Sequence, residues 1–236
     1  MRPKLLILAL AGASAGFVGW RYTVAAGAPT PHHAIVVDNS PSRPGACSIL
    51  GIGARVLEAP AQKNSTLSLL VLGDAKRAFN PVLVTQDIPR DEKVLESRSK
   101  LKARQRDFLQ GLQAVCASAV VPGRSAILLG VERALEHLHA AGCRAGGACV
   151  LWIDTDGLEN VNPPLQRTLA GTGPVPKSLS GMLDNDGIKV SFCGFGDSRD
   201  GSGLARTART PSARAEDVWP ALFRNPASVT IQPFCP

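Results

Sequence analysis

"ACVLWIDTDG", residues 148–157, decides the fold. A strand with one face in water alternates apolar and polar residues. The stretch from Ala148 to Ile153 is apolar at every position, so both of its faces must be covered, as in a central strand of a parallel sheet. It ends in two carboxylates, a hydroxyl and a glycine, Asp154 to Gly157, which places oxygen-bearing side chains at the carboxyl end of that strand.

Similar runs lie on either side. "HAIVVD" (33–38), "STLSLLVLG" (65–73), "PVLVTQ" (81–86), "GIKVSFCGFG" (187–196) and "SVTIQPF" (228–234) read as strands. Helical stretches separate most of them: 44–58 entered through Pro44, 91–119, Ser125 to Ala141, and 212–224. Leu128, Val131, Leu135 and Leu138 recur at three- and four-residue intervals along the third of these. A Pro- and Gly-containing excursion before residue 187 is expected to hold one short helix near 177–184. Alternating strands and helices predict an α/β domain, doubly wound, with helices on both faces of a mostly parallel sheet. We expect six strands in the order 3-2-1-4-5-6. The short link between the second and third predicts that the third runs antiparallel.

The 236 residues suffice for one well-cored domain with a short extra segment. With 44% hydrophobic and 19% charged residues, the chain is neither disordered nor a multispan membrane protein. Arg2 and Lys4 precede an uncharged run from Leu5 to Trp20, which as a helix spans about 24 Å against a hydrocarbon core of about 30 Å. With small residues at Val24, Ala25 and Ala26, residues 1–28 read as an export signal or an N-terminal membrane anchor. Residues 29–32 are a short linker and 33–236 the domain. Either reading takes the body of the protein out of the cytoplasm: periplasmic, anchored in the cell envelope, or secreted. Removing residues 1–26 deletes Arg2, Lys4 and Arg21, leaving 23 basic against 19 acidic side chains, a mild +4. The dense basic run "RSKLKARQR" (98–106) has no aromatic on which a base could stack, so it reads as a solvated helix face and nucleic acid is not expected as a partner.

Six cysteines in an exported chain permit up to three disulfides. Cys143 and Cys149 enclose a short Gly-rich segment and are the favoured pair. Cys193 and Cys235 are a second candidate pair, near the carboxyl ends of the last two strands.

In an α/β sheet, sites form beyond the carboxyl ends of the strands. That rule brings three pieces together: "DNSPS" (38–42) after the first strand, Ser125 at a helix start, and Asp156 in "TDG". Asp38, Ser40, Ser42, Ser125 and Asp156 make an all-oxygen set that suits Mg²⁺ or Mn²⁺ rather than zinc or copper. An ion held by so few carboxylates remains electrophilic and open to an anionic ligand. Asp38 is expected at a solvent-facing rim.

The DxSxS run, the later hydroxyl before an amphipathic helix, and the strand ending in TDG resemble the von Willebrand factor A (vWA) domain, over residues 33–236. The resemblance implies that these five residues form its metal-ion-dependent adhesion site. It further implies a partner protein that completes the metal's shell with an Asp or Glu side chain. Ser125 stands where that family usually has threonine, and Asp154 where it usually has an apolar residue.

Other readings fit less of the chain. "GASAG" (12–16) has the spacing of a nucleophile elbow but lies in the export segment. "GTGPVPKS" (171–178) has a proline where a phosphate loop needs an N–H. His137 and His139, two apart on a helix, do not face one another. The alternative function is a Mg²⁺-dependent phosphohydrolase of haloacid-dehalogenase type, with Asp154 as nucleophile, Asp156 as acid/base, and Asp197 and Asp200 on the metal. Only 41 positions separate Asp156 from Asp197, and "DNSPS" has no role in it. A metal-free structural scaffold is the third reading. The reading adopted is a binding domain and not an enzyme.

Overall fold

The structure is a computed structural model that describes residues 32–38, 49–58, 65–72, 82–89, 97–118, 126–143, 149–159, 161–195, 212–232 and 235. Six strands, β1 (His32–Asp38), β2 (Thr66–Leu72), β3 (Val82–Asp87), β4 (Cys149–Asp154), β5 (Ile188–Cys193) and β6 (Val229–Gln232), form one sheet in the order β3-β2-β1-β4-β5-β6. All neighbouring pairs are parallel except β2 and β3. The order and the single antiparallel strand match the sequence reading. β1 lies between two parallel neighbours, and every residue from His33 to Asp38 is buried, as its apolar run requires.

Five α-helices occur among the described residues: α1 (Ile49–Glu58), α2 (Arg98–Ser118), α3 (Ile127–Ala140), α4 (Pro163–Leu169) and α5 (Ser212–Ala221). Ala34, Val36, Leu151, Ile153, Val190 and Phe192 pack with apolar side chains of α3, α4 and α5. Ile35, Val37, Leu67, Leu69 and Val71 pack instead with Ile49, Ile52 and Val56 of α1 and Phe108 and Leu112 of α2. Successive strand residues therefore enter different clusters, as a period of two dictates. On α3 the buried set includes Leu128, Val131, Leu135 and Leu138, the stripe read from sequence. The first turn of α2 is exposed at Arg98, Ser99 and Lys100, so this part of the basic run is a solvated face.

The excursion before β5 differs from expectation. Its helix is α4, entered at Asn162, whose side chain accepts from Leu165 N–H at 3.0 Å, with Pro163 in the first turn. Residues 177–184 form turns and a short bridge. Leu179 N–H bonds back to Pro176 at 2.9 Å, and Gly181 then takes φ +66°, which ends any helical course.

Two disulfides fix this frame. Cys143–Cys149 (Cα–Cα 5.8 Å) ties the end of α3 to the start of β4, and Cys193–Cys235 (Cα–Cα 4.7 Å) ties the end of β5 to the chain beyond β6. Both were candidate pairs in the sequence. Cys47 and the side chain of Cys116 lie outside the described residues. Among the described residues no helix is long and apolar enough to cross a membrane; residues 1–28, where a signal or anchor was expected, fall outside them.

Candidate metal centre at the carboxyl edge of the sheet

β1 and β4 are parallel neighbours with Val37 opposite Asp154, so Asp38 and the TDG turn emerge side by side. Thr155 sits between the two candidate ligands. Its hydroxyl donates to Asp38 Oδ2 at 3.0 Å, across 117 residues of chain, and accepts from Gly157 N–H at 3.0 Å. Thr155 N–H also bonds to Cys193 O at 3.0 Å, extending the β4–β5 pairing by one residue. Asp38, Thr155 and Asp156 are all fully buried. Asp38 is thus not on the solvent-facing rim expected from sequence. The reason is that β1 is central and its end is roofed by the turn after β4.

Asp156 has one satisfied oxygen and one that is not. Oδ1 accepts from Leu158 N–H at 3.0 Å, while the buried Oδ2 has no hydrogen-bond partner among the described residues. A buried carboxylate oxygen without a donor costs free energy unless a cation compensates it. This orphan and the nearby Asp38 fit a hard divalent ion.

The turn that presents Asp156 is held rigidly. Gly157 has φ +75°, and a Cβ there would meet the Phe195 ring at 2.9 Å and Ala215 at 3.0 Å. Its carbonyl accepts from Trp219 Nε1 at 3.0 Å, so α5 clamps the turn from outside.

Glu159, missed by sequence reasoning, braces the other side. It is 4% exposed. One carboxylate oxygen accepts from Leu128 N–H at 2.8 Å, at the start of α3; the other accepts from Val161 N–H at 2.7 Å and Asn162 N–H at 3.1 Å. Burial pushes the carboxyl above its ordinary range, against the pull of these N–H groups and that of Ile127. Glu159 therefore joins the loop carrying Asp156 to the helix that Ser125 precedes. The sequence signal was faint: a glutamate three residues beyond TDG, serving a helix start 31 residues away.

Of the five candidate ligands, Asp38 and Asp156 are described, and Thr155, next to Asp156 in the chain, bonds to Asp38. Ser40, Ser42 and Ser125 lie outside the described residues, as do Asp197 and Asp200 of the phosphohydrolase reading. Asp154, the nucleophile of that reading, is fully buried with Oδ1 3.1 Å from Cys235 Sγ.

No protein-family model and no curated protein sequence matches the chain. Among solved structures it is similar to two structures of proximal thread matrix protein 1 from the mussel byssus, one of them of crystal form 2. Identity is 12% and 13%, each with a TM-score of 0.41, over 88% of this chain and 44% and 42% of that one. It is also similar to the pilus adhesin SpaC from Lactobacillus rhamnosus GG in an open conformation, with 10% identity and a TM-score of 0.45. That match covers 87% of this chain and 28% of the adhesin's. The chain thus spans less than half the length of each of these three structures.

Proposed function

We propose that this protein is an exported adhesion or assembly domain of vWA type that captures an acidic side chain of a partner protein through a Mg²⁺ or Mn²⁺ ion. The observation that carries the reading is the buried, unpartnered Asp156 Oδ2 beside a buried Asp38 that Thr155 holds in place. In this reading the hydroxyls of Ser40, Ser42 and Ser125 are direct ligands, and Asp38 and Asp156 balance charge and orient waters. The ion supplies an electrophilic position that a partner's Asp or Glu completes. The two apolar clusters, fed by alternate strand residues, support a doubly wound sheet with helices on both faces. Disulfides fit an exported protein. Residues 1–28 serve as signal or anchor, and any membrane association runs through them.

Calorimetric titration of the full chain with Mg²⁺ and Mn²⁺ tests this. One saturable site per chain supports the reading. Absence of binding leaves a metal-free scaffold, and turnover of a generic phosphate ester would make it a phosphohydrolase. The burial of Asp154 against a disulfide sulfur weighs against that last outcome.

A further inference from the structure

A second cluster with ligand chemistry lies beside the first. Asp154 and Cys193 are Cα partners at the ends of β4 and β5, and Cys235 reaches them from beyond β6. One carboxylate oxygen and the two sulfurs lie within 4.8 Å of one another; Asp154 and Cys193 are buried and Cys235 half-buried. The contact between Asp154 Oδ1 and Cys235 Sγ, at 3.1 Å, is chemically uneven. A bridged sulfur carries no hydrogen to donate, so this contact becomes a hydrogen bond only when Cys235 is a thiol.

We propose that Asp154, Cys193 and Cys235 form a zinc-binding site that alternates with the Cys193–Cys235 disulfide. A dithiol reductant supplies two electrons and two protons, becoming a disulfide as the protein bridge opens to two thiols. Zn²⁺ then displaces both thiol protons, and two thiolates and one carboxylate bind it. A tetrahedral zinc with such ligands has edges of roughly 3.5–3.8 Å; Asp154 Oδ1 already lies 3.1 Å from Cys235 Sγ, and the two sulfurs move apart to that spacing once the bridge opens. The half-buried side at Cys235 leaves the fourth position for water. Softness separates this site from the all-oxygen centre: thiolates select zinc, hydroxyls and carboxylates select magnesium. The consequence is a site that takes zinc only in the reduced chain and that protects its thiols from reoxidation while zinc is bound.

The test uses the full chain, reduced with a phosphine under argon and titrated with Co²⁺ as a spectroscopic stand-in for zinc. The reduced chain is expected to give the visible bands of tetrahedral, thiolate-bound cobalt, and the oxidised chain none. Asp154→Asn keeps both thiols and should weaken cobalt binding at least about tenfold. In the reduced wild type, Zn²⁺ should shield Cys193 and Cys235 from alkylation, read by mass spectrometry, without depending on any variant's folding. No cobalt bands, bands unchanged in Asp154→Asn, or zinc protection confined to Cys143 and Cys149 would overturn the proposal.

Discussion

Thr155 shows how much of this site rests on one hydroxyl. It donates to Asp38 and accepts from Gly157 N–H, so its loss takes one donor from Asp38 Oδ2 and the side-chain acceptor from Gly157 N–H. Thr155→Val, nearly the same shape, should cost about 1–3 kcal/mol through the two hydrogen bonds it removes. It should also weaken Mg²⁺ binding about 10–100-fold, as losing a group that orients a ligand does. Thr155→Ser should restore most of both. Chemical denaturation and calorimetry on the two variants check this; equal metal affinity in Thr155→Val would show that Asp38 needs no such support. Glu159→Ala should destabilise by about 1–3 kcal/mol, because α3 loses the acceptor at its start. The aspartates could be read from sequence because a strand ending in carboxylates is a local pattern. The contacts of Glu159 with Leu128 and of Trp219 with Gly157 could not, since each joins residues distant in sequence and nothing local marks the meeting.

At the scale of elements, α3 is held to the sheet by more than its apolar stripe. His137 Nε2 on α3 lies 2.8 Å from Ser68 Oγ on β2; within the sheet, His32 Nδ1 on β1 lies 2.6 Å from Thr66 Oγ1 on β2. Burial lowers the His137 pKa below its ordinary 6.5, and the neighbouring His32 charge lowers it further; burial also lowers His32. A depressed pKa means that the folded state resists protonation. The contribution is present above pH 6.5 and is lost as pH falls through the folded value. Denaturation midpoints should therefore drop as pH goes below 6.5, and His137→Gln should flatten that dependence. A slope unchanged in the variant would assign the effect elsewhere. The strands and the long helices were legible because periods of two and 3.6 persist over enough residues. The short α4 was misplaced because two consecutive prolines hid a helix start that Asn162 and Pro163 in fact mark.

For the whole molecule, the disulfides differ in reach. Cys143–Cys149 closes a separation of 6 residues and Cys193–Cys235 one of 42. By loop-closure entropy their removal should cost about 2 and about 4 kcal/mol respectively. Thiol titration of the unreduced, denatured chain should find fewer than six free thiols, and six would count against the exported compartment. The sheet order followed from the sequence because parallel neighbours need crossovers and one link was too short for one. That Asp38 is buried was not legible, because the roof over it comes from the turn beyond β4. The most direct test of the metal centre compares the chain with Asp156→Asn, which keeps the shape and removes the charge, by thermal unfolding with and without Mg²⁺. The account predicts that Mg²⁺ raises the midpoint of the parent only, and that without metal the variant is at least as stable, since the amide gives the buried position an uncharged group. Equal shifts in both proteins, or none in the parent, would contradict it.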